Sequence, residues 1–97
     1  MLENDAYLVA QSRIEQARQE GARKLDLRNM KLRKLPETIT SLTQLQSLYL
    51  QNNQLTELPE TIASLTRLQA LYLQNNQLRE LPEAIASLTQ LLKLHLD

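Results

Sequence analysis

The stretch LYLQNNQL stands at residues 48–55 and again, letter for letter, at 71–78. Around it the chain divides at a fixed interval: the triplets Leu25-Asp26-Leu27, Leu48-Tyr49-Leu50, Leu71-Tyr72-Leu73 and Leu94-His95-Leu96 recur every 23 residues. The units that start at 48 and 71 agree at 18 of 23 positions, and those that start at 25 and 48 agree at 14. A unit this short cannot bury its own apolar face, so neighbours must stack and share one continuous core. The chain is therefore expected to form a solenoid. Composition points the same way. Leucine supplies 23 of the 97 residues, whereas Phe and Trp are absent and glycine occurs once, as expected where one packing solution is used repeatedly.

Within a unit, LYLQ alternates leucine with other residues, the period of a half-buried strand. Leu48 and Leu50 are expected to point inward, with Ser47, Tyr49 and Gln51 outward. Leu55 and Leu58 follow, then Pro59-Glu60, and then Ile62, Leu65 and Leu68 at intervals of three, which suits a helical or 3₁₀ segment. Proline fits the first helical position, where its missing N–H costs nothing. Glu37, Glu60 and Glu83 each follow that proline, where negative charge complements a helix N-terminus. Parallel strands sit about 4.8 Å apart, but packed helices need about 8–10 Å, so the strand side is expected to be the inside of an arc. Asn53 and Asn76 fall where the chain leaves the strand and turns. There a buried side-chain amide can donate twice and accept at its carbonyl, bridging one corner to the next. Met30 takes that position in the first unit, so an asparagine ladder is expected to begin at Asn53, with Asn52 and Asn75 more exposed.

The pattern LxxLxLxxNxLxxLPxxIxxL, carried here by LQSLYLQNNQLTELPETIASL, resembles the leucine-rich repeat family in its 23-residue, LP-containing form. The resemblance covers residues 22–97. It implies an α/β solenoid: a right-handed horseshoe with a parallel concave sheet, usually a protein-interaction module. Three full units start at 25, 48 and 71, and a partial fourth strand occupies 94–97. The entry to the repeats, RIEQARQEGARKLDLRNMKLRKLP, is similar to that of bacterial Roco-type proteins, in which repeats precede a Ras-like GTPase domain. No GxxxxGK[ST] occurs here, so a GTPase activity would belong to a larger parent.

Residues 1–21 do not repeat and are expected to form an N-terminal capping helix. Asn4 or Asp5 is a candidate N-cap, and Tyr7, Ala10, Ile14 and Ala17 form one apolar stripe. Gly21 stands where a left-handed residue would end the helix. At the other end LLKLHLD brings neither an asparagine corner nor a covering helix. Leu81, Ile85, Leu88, Leu91, Leu94 and Leu96 are then expected to face water, either because more repeats follow or because a partner covers them. An open apolar edge invites pairing, so self-association as a homodimer is expected through Leu92, Leu94 and Leu96. A two-fold axis would make that pairing antiparallel.

The expected concave face presents Asp26, Arg28, Tyr49, Gln51, Tyr72, Gln74 and His95. Tyrosines on adjacent strands form an amphipathic ridge, and tyrosine is enriched where binding energy concentrates. His95 and Asp97 share a strand face, but Asp26 is three strands away, roughly 14 Å, too far for a shared ion or a catalytic triad. No enzymatic activity, cofactor or metal is expected. Cysteine is absent, which removes disulfides and thiolate chemistry. Acidic and basic residues balance at 11 each, which gives no general case for nucleic acid or an anionic membrane. Arg23, Lys24, Arg28, Lys31, Arg33 and Lys34 cluster at the first unit, without interleaved aromatics, and read as a solvated face or one that meets an acidic protein. No apolar run reaches the roughly 18–20 residues of a membrane span. The acidic start MLENDAYLVAQSR does not read as a secretory leader, so a cytoplasmic location is expected. The most economical function is a module that binds a protein or peptide. The alternative is a structural segment that assembles through its open end.

Overall fold

The computed structural model describes residues 3–88, 91 and 93–95. Helix α1 spans Glu3–Glu20 and is followed by four short strands, β1 (Lys24–Asp26), β2 (Ser47–Tyr49), β3 (Ala70–Tyr72) and β4 (Lys93–His95). Every strand pairs in parallel with the next in sequence, in the order β1-β2-β3-β4. The register runs Leu25↔Leu48↔Leu71↔Leu94, a shift of 23 residues at each step. The last strand begins one residue earlier than the sequence pattern suggested, and Leu96 and Asp97 lie outside the described residues. Parallel pairing requires the chain to travel back before each new strand. The return path runs through 3₁₀ segments at Glu37–Ser41, Glu60–Ser64 and Glu83–Ser87.

Alternation in the strands decides what faces the core. Leu25, Leu27, Leu48, Leu50, Leu71 and Leu73 are buried. They meet Leu32, Leu35, Leu55 and Leu58 from the corners and Ile39, Ile62, Leu45, Leu65 and Leu68 from the return path in one cluster. Fully burying such a side chain is worth about 1.5–3 kcal/mol. The proline does not occupy the first helical position as expected. Pro36, Pro59 and Pro82 stand one residue before it, with extended ψ of 136°, 146° and 147°. Their carbonyls accept the first 3₁₀ bonds, from the amides of Ile39, Ile62 and Ile85. Proline thus sets the entry angle, and the three-residue period of a 3₁₀ turn brings the isoleucine inward.

Helix α1 packs on β1 and on the first 3₁₀ segment. Ala10, Ile14 and Ala17 are buried and Tyr7 is half-buried, so the stripe read from the sequence is the packed face. Asn4 and Asp5 do not cap the helix; it already begins at Glu3, and both fall in its first turn. Gly21, at φ +62°, ends it. The amide of Ala22 donates to the Ala17 carbonyl at 2.9 Å and that of Gly21 to the Arg18 carbonyl at 3.3 Å, the paired bonds of a Schellman termination. Arg13 reaches across to donate to the Asp26 carbonyl at 3.0 Å, covering part of the β1 edge.

The corners are held by asparagine. The Asn53 carbonyl oxygen accepts from the amides of Met30 and Leu32, each at 3.0 Å. Its Nδ2 donates to the carbonyls of Leu27 at 2.8 Å and Leu50 at 2.9 Å. Asn76 repeats the arrangement one coil on, accepting from Leu55 and donating to Leu50 and Leu73. Each asparagine reaches back to the preceding corner. Met30 has no preceding corner to serve, and it packs against the core instead. Asn52 and Asn75 are exposed as expected, and they carry a requirement the pattern did not reveal. With φ of 61° and 60°, they occupy the left-handed region that asparagine tolerates better than most residues. Replacing Asn53 by leucine would add apolar volume but strand these buried amides and carbonyls, at about 1–3 kcal/mol for each unpaired group. Asn53→Leu is therefore expected to lower stability by about 3 kcal/mol or more in urea denaturation. An unchanged melting temperature would refute this role.

Candidate binding face on the sheet

Leu25, Leu48 and Leu71 point inward, so the flanking residues of β1–β3 form the outer face of the sheet. Lys24, Asp26 and Arg28 are exposed, Ser47, Tyr49, Gln51, Tyr72 and Gln74 are half-buried, and Ala70 is buried. The six described site residues, Asp26, Arg28, Tyr49, Gln51, Tyr72 and Gln74, thus lie on one surface in successive registers. The tyrosine rings stack with centroids 4.8 Å apart and planes inclined by 9°. That separation is the strand spacing. The guanidinium of Arg28 lies 5.9 Å from the centroid of Tyr49, within the range of a cation–π contact.

Arg28 is itself held. Its Nε and Nη2 donate to the two carboxylate oxygens of Asp26 at 3.0 and 2.9 Å, and its backbone amide donates to Asp26 Oδ1 at 3.0 Å. Asp26 and Arg28 are two residues apart on the same face, which permits this two-pronged geometry. The side-chain bond from Arg28 holds the Asp26 carboxyl below its ordinary value, and the charges of Arg28 and, more weakly, Arg13 add to the effect. Arg13 belongs to the site although no feature of the repeat pattern points to it; only the docking of α1 against β1 brings it there. Beside the tyrosines, Gln51 Oε1 and Gln74 Oε1 are buried without a hydrogen-bond partner among the described residues. The face therefore offers aromatic area and a guanidinium at one end.

The backbone of His95 is in register with Tyr72, which continues the column Asp26-Tyr49-Tyr72; its side chain lies outside the described residues, as do Leu92 and Leu96. At this end Leu94 is 38% exposed. Leu81, Ile85 and Leu91 are half-buried, although the corresponding Leu58, Ile62 and Leu68 are buried. Leu88 differs from the expectation: it is buried, at 4% exposure. The basic cluster does not form one patch. Lys24 and Arg28 lie on the sheet face, but Lys34 lines a groove of about 460 Å³ with Glu37, Glu57, Glu60 and Glu80.

A depressed carboxyl pKa contributes stability above the ordinary aspartate value of about 3.9, and that contribution is lost as pH falls through the lowered midpoint. The Asp26–Arg28 side chains are about half exposed, so solvent screening keeps the effect on folding small. The titration itself is the better readout. In NMR the Asp26 carboxyl is expected to titrate below an ordinary aspartate, and Arg28→Gln is expected to raise its midpoint. An unmoved midpoint would show that Arg28 is not the cause.

Comparison with known proteins places this arrangement. The family model described as a leucine-rich repeat region matches residues 22–97. Among solved structures, a leucine-rich repeat protein of Leptospira interrogans superposes with a TM-score of 0.76 at 44% identity, over 77% of this chain. This chain spans 19% of the length of that protein. Among curated proteins, none matches. With the repeat, the parallel sheet and the family match covering the same residues, the chain belongs to the leucine-rich repeat family.

Proposed function

We propose that this chain is a protein-interaction module that binds a protein or peptide across the outer face of its sheet, with Tyr49 and Tyr72 at the centre. The stacked tyrosine pair carries the reading. Its area and hydroxyls are those of binding hot spots, and strand spacing rather than partner contact holds the rings in place, so little ordering cost attends binding. Leucine-rich repeat domains generally mediate protein–protein interaction, which supports the class of function. In this reading the sheet is the concave side of a right-handed horseshoe, since strands approach more closely than the bulkier return segments, and α1 caps the first coil. His95 extends the binding column. The module is part of a larger cytoplasmic, Roco-like GTPase protein of bacterial type, a proposal supported by the sequence at the entry to the repeats. Peptides selected from a random phage library against the immobilised chain are expected to lose roughly thirtyfold in affinity for Tyr49→Ala/Tyr72→Ala, with the urea midpoint retained. Undiminished affinity for that variant would overturn the reading.

A second reading rests on the exposure of Leu94. Its counterparts Leu25, Leu48 and Leu71 are all buried, and the edge strand β4 can pair with another chain. We propose that the isolated chain dimerises through this strand. Light scattering at about tens of micromolar, where modest interfaces saturate, is expected to give twice the monomer mass, and Leu94→Lys is expected to give the monomer. A monomeric parent chain would refute self-association.

A further inference from the structure

The chain has no net charge, yet its charges are segregated. Glu37, Glu57, Glu60 and Glu80, with Lys34 as the one base among them, line the groove on the return side. At the β1 end of the sheet face, one carboxylate, Asp26, meets the guanidinium of Arg28, and Arg13 donates to its backbone carbonyl. Lys24 stands exposed on the same face and makes no hydrogen bond or ion pair among the described residues. Arg28 and Asp26 cancel, which leaves Arg13 and Lys24 as uncompensated positive charge. The neighbouring residues Ser47, Tyr49, Gln51, Ala70, Tyr72 and Gln74 bear no charge at neutral pH. Among the described side chains the sheet face is thus cationic at the β1 end and aromatic along its middle.

Resting on the binding role proposed for this face, we infer that its partner is an acidic polypeptide segment. Carboxylates of the segment meet Lys24 and Arg13 at the β1 end, and its apolar side chains lie over Tyr49 and Tyr72. Guanidinium and ammonium groups favour carboxylates, and the segregation of charge would orient an acidic partner before contact. The two glutamine oxygens that lack a partner among the described residues favour a polypeptide over a nucleic acid. A phosphate backbone has only acceptors to offer them, whereas an extended peptide brings backbone N–H donors. Rotation about the soft terminal torsion of glutamine would turn each oxygen toward such a donor.

The peptides selected from the random phage library provide the test. Enrichment in aspartate and glutamate is expected among those that Tyr49→Ala/Tyr72→Ala fails to bind. Lys24→Glu, at a residue with no structural partner, is expected to weaken them about tenfold and to retain the urea midpoint. Binding is expected to weaken further as salt rises from about 0.05 to 0.5 M, since these charges are exposed. Tyrosine-dependent peptides without acidic enrichment, or peptides indifferent to Lys24→Glu, would overturn the acidic assignment and leave the binding face standing. Peptides indifferent to the tyrosines would remove both. Tyrosine-dependent binding of a mixed-sequence single-stranded oligonucleotide, in place of acidic peptides, would overturn the assignment to a polypeptide.

Discussion

The carbonyl of Leu50 accepts hydrogen bonds from the side-chain amides of both Asn53 and Asn76, each at 2.9 Å. One belongs to its own coil and the other to the next, and the stack depends on such sharing. Past each strand some backbone bonds still run from coil to coil, as from the amide of Asn52 to the carbonyl of Gln74, but the corner leaves the amides of Met30 and Leu32 and the carbonyls of Leu27 and Leu50 to the asparagine side chains. Unpaired, they would cost about as much as burying a leucine gains. Each asparagine resolves the previous coil's corner at the same time as its own. The coils consequently join in one direction, through bonds that a leucine in the same place could not supply. The polar corner and the leucine core are one device.

That device explains why a nearly uniform core packs well. Each strand leucine meets the leucine of the same register in the neighbouring coil, and each corner and return segment contributes its apolar residues at a repeated depth. Shape variety is unnecessary when the geometry is translated rather than invented anew. The first coil departs from the rule where its surroundings do. Ala22 and Met30 replace a leucine and an asparagine, and both pack against the core. Lys31 takes a positive φ of 55°, while the corresponding Gln54 and Gln77 do not.

The same translation builds the sheet face. Tyr49 and Tyr72 stack because their backbones are bonded neighbours, not because the rings select each other; 4.8 Å is a peptide dimension. Arg28 closes one side of the stack, and Asp26 keeps it there. These side chains are thus held by contacts within the chain itself. On the return side Glu37, Glu57, Glu60 and Glu80 gather with Lys34 around one groove, although the chain as a whole is neutral.

Much of this was legible in the residues alone. The interval of 23, the alternation in LYLQ, the isoleucines at threes and the corner asparagines determined the parallel sheet, its register and the residues on each face, because each is a local periodicity that a stack of coils preserves. The placement of Asp26, Arg28, Tyr49, Gln51, Tyr72 and Gln74 on one surface followed from the same alternation. Other features came only with tertiary contact. Proline stands before the 3₁₀ turn and not within it because the incoming chain must be extended where it leaves the corner. Asn52 and Asn75 adopt left-handed backbone because the corner demands it, and no composition signal separates that need from simple exposure. Arg13 joins the sheet face because α1 docks on β1, a contact between segments whose patterns are unrelated. Periodicity encodes what repeats; what happens once, where helix meets coil or charge meets charge, is decided by the packing.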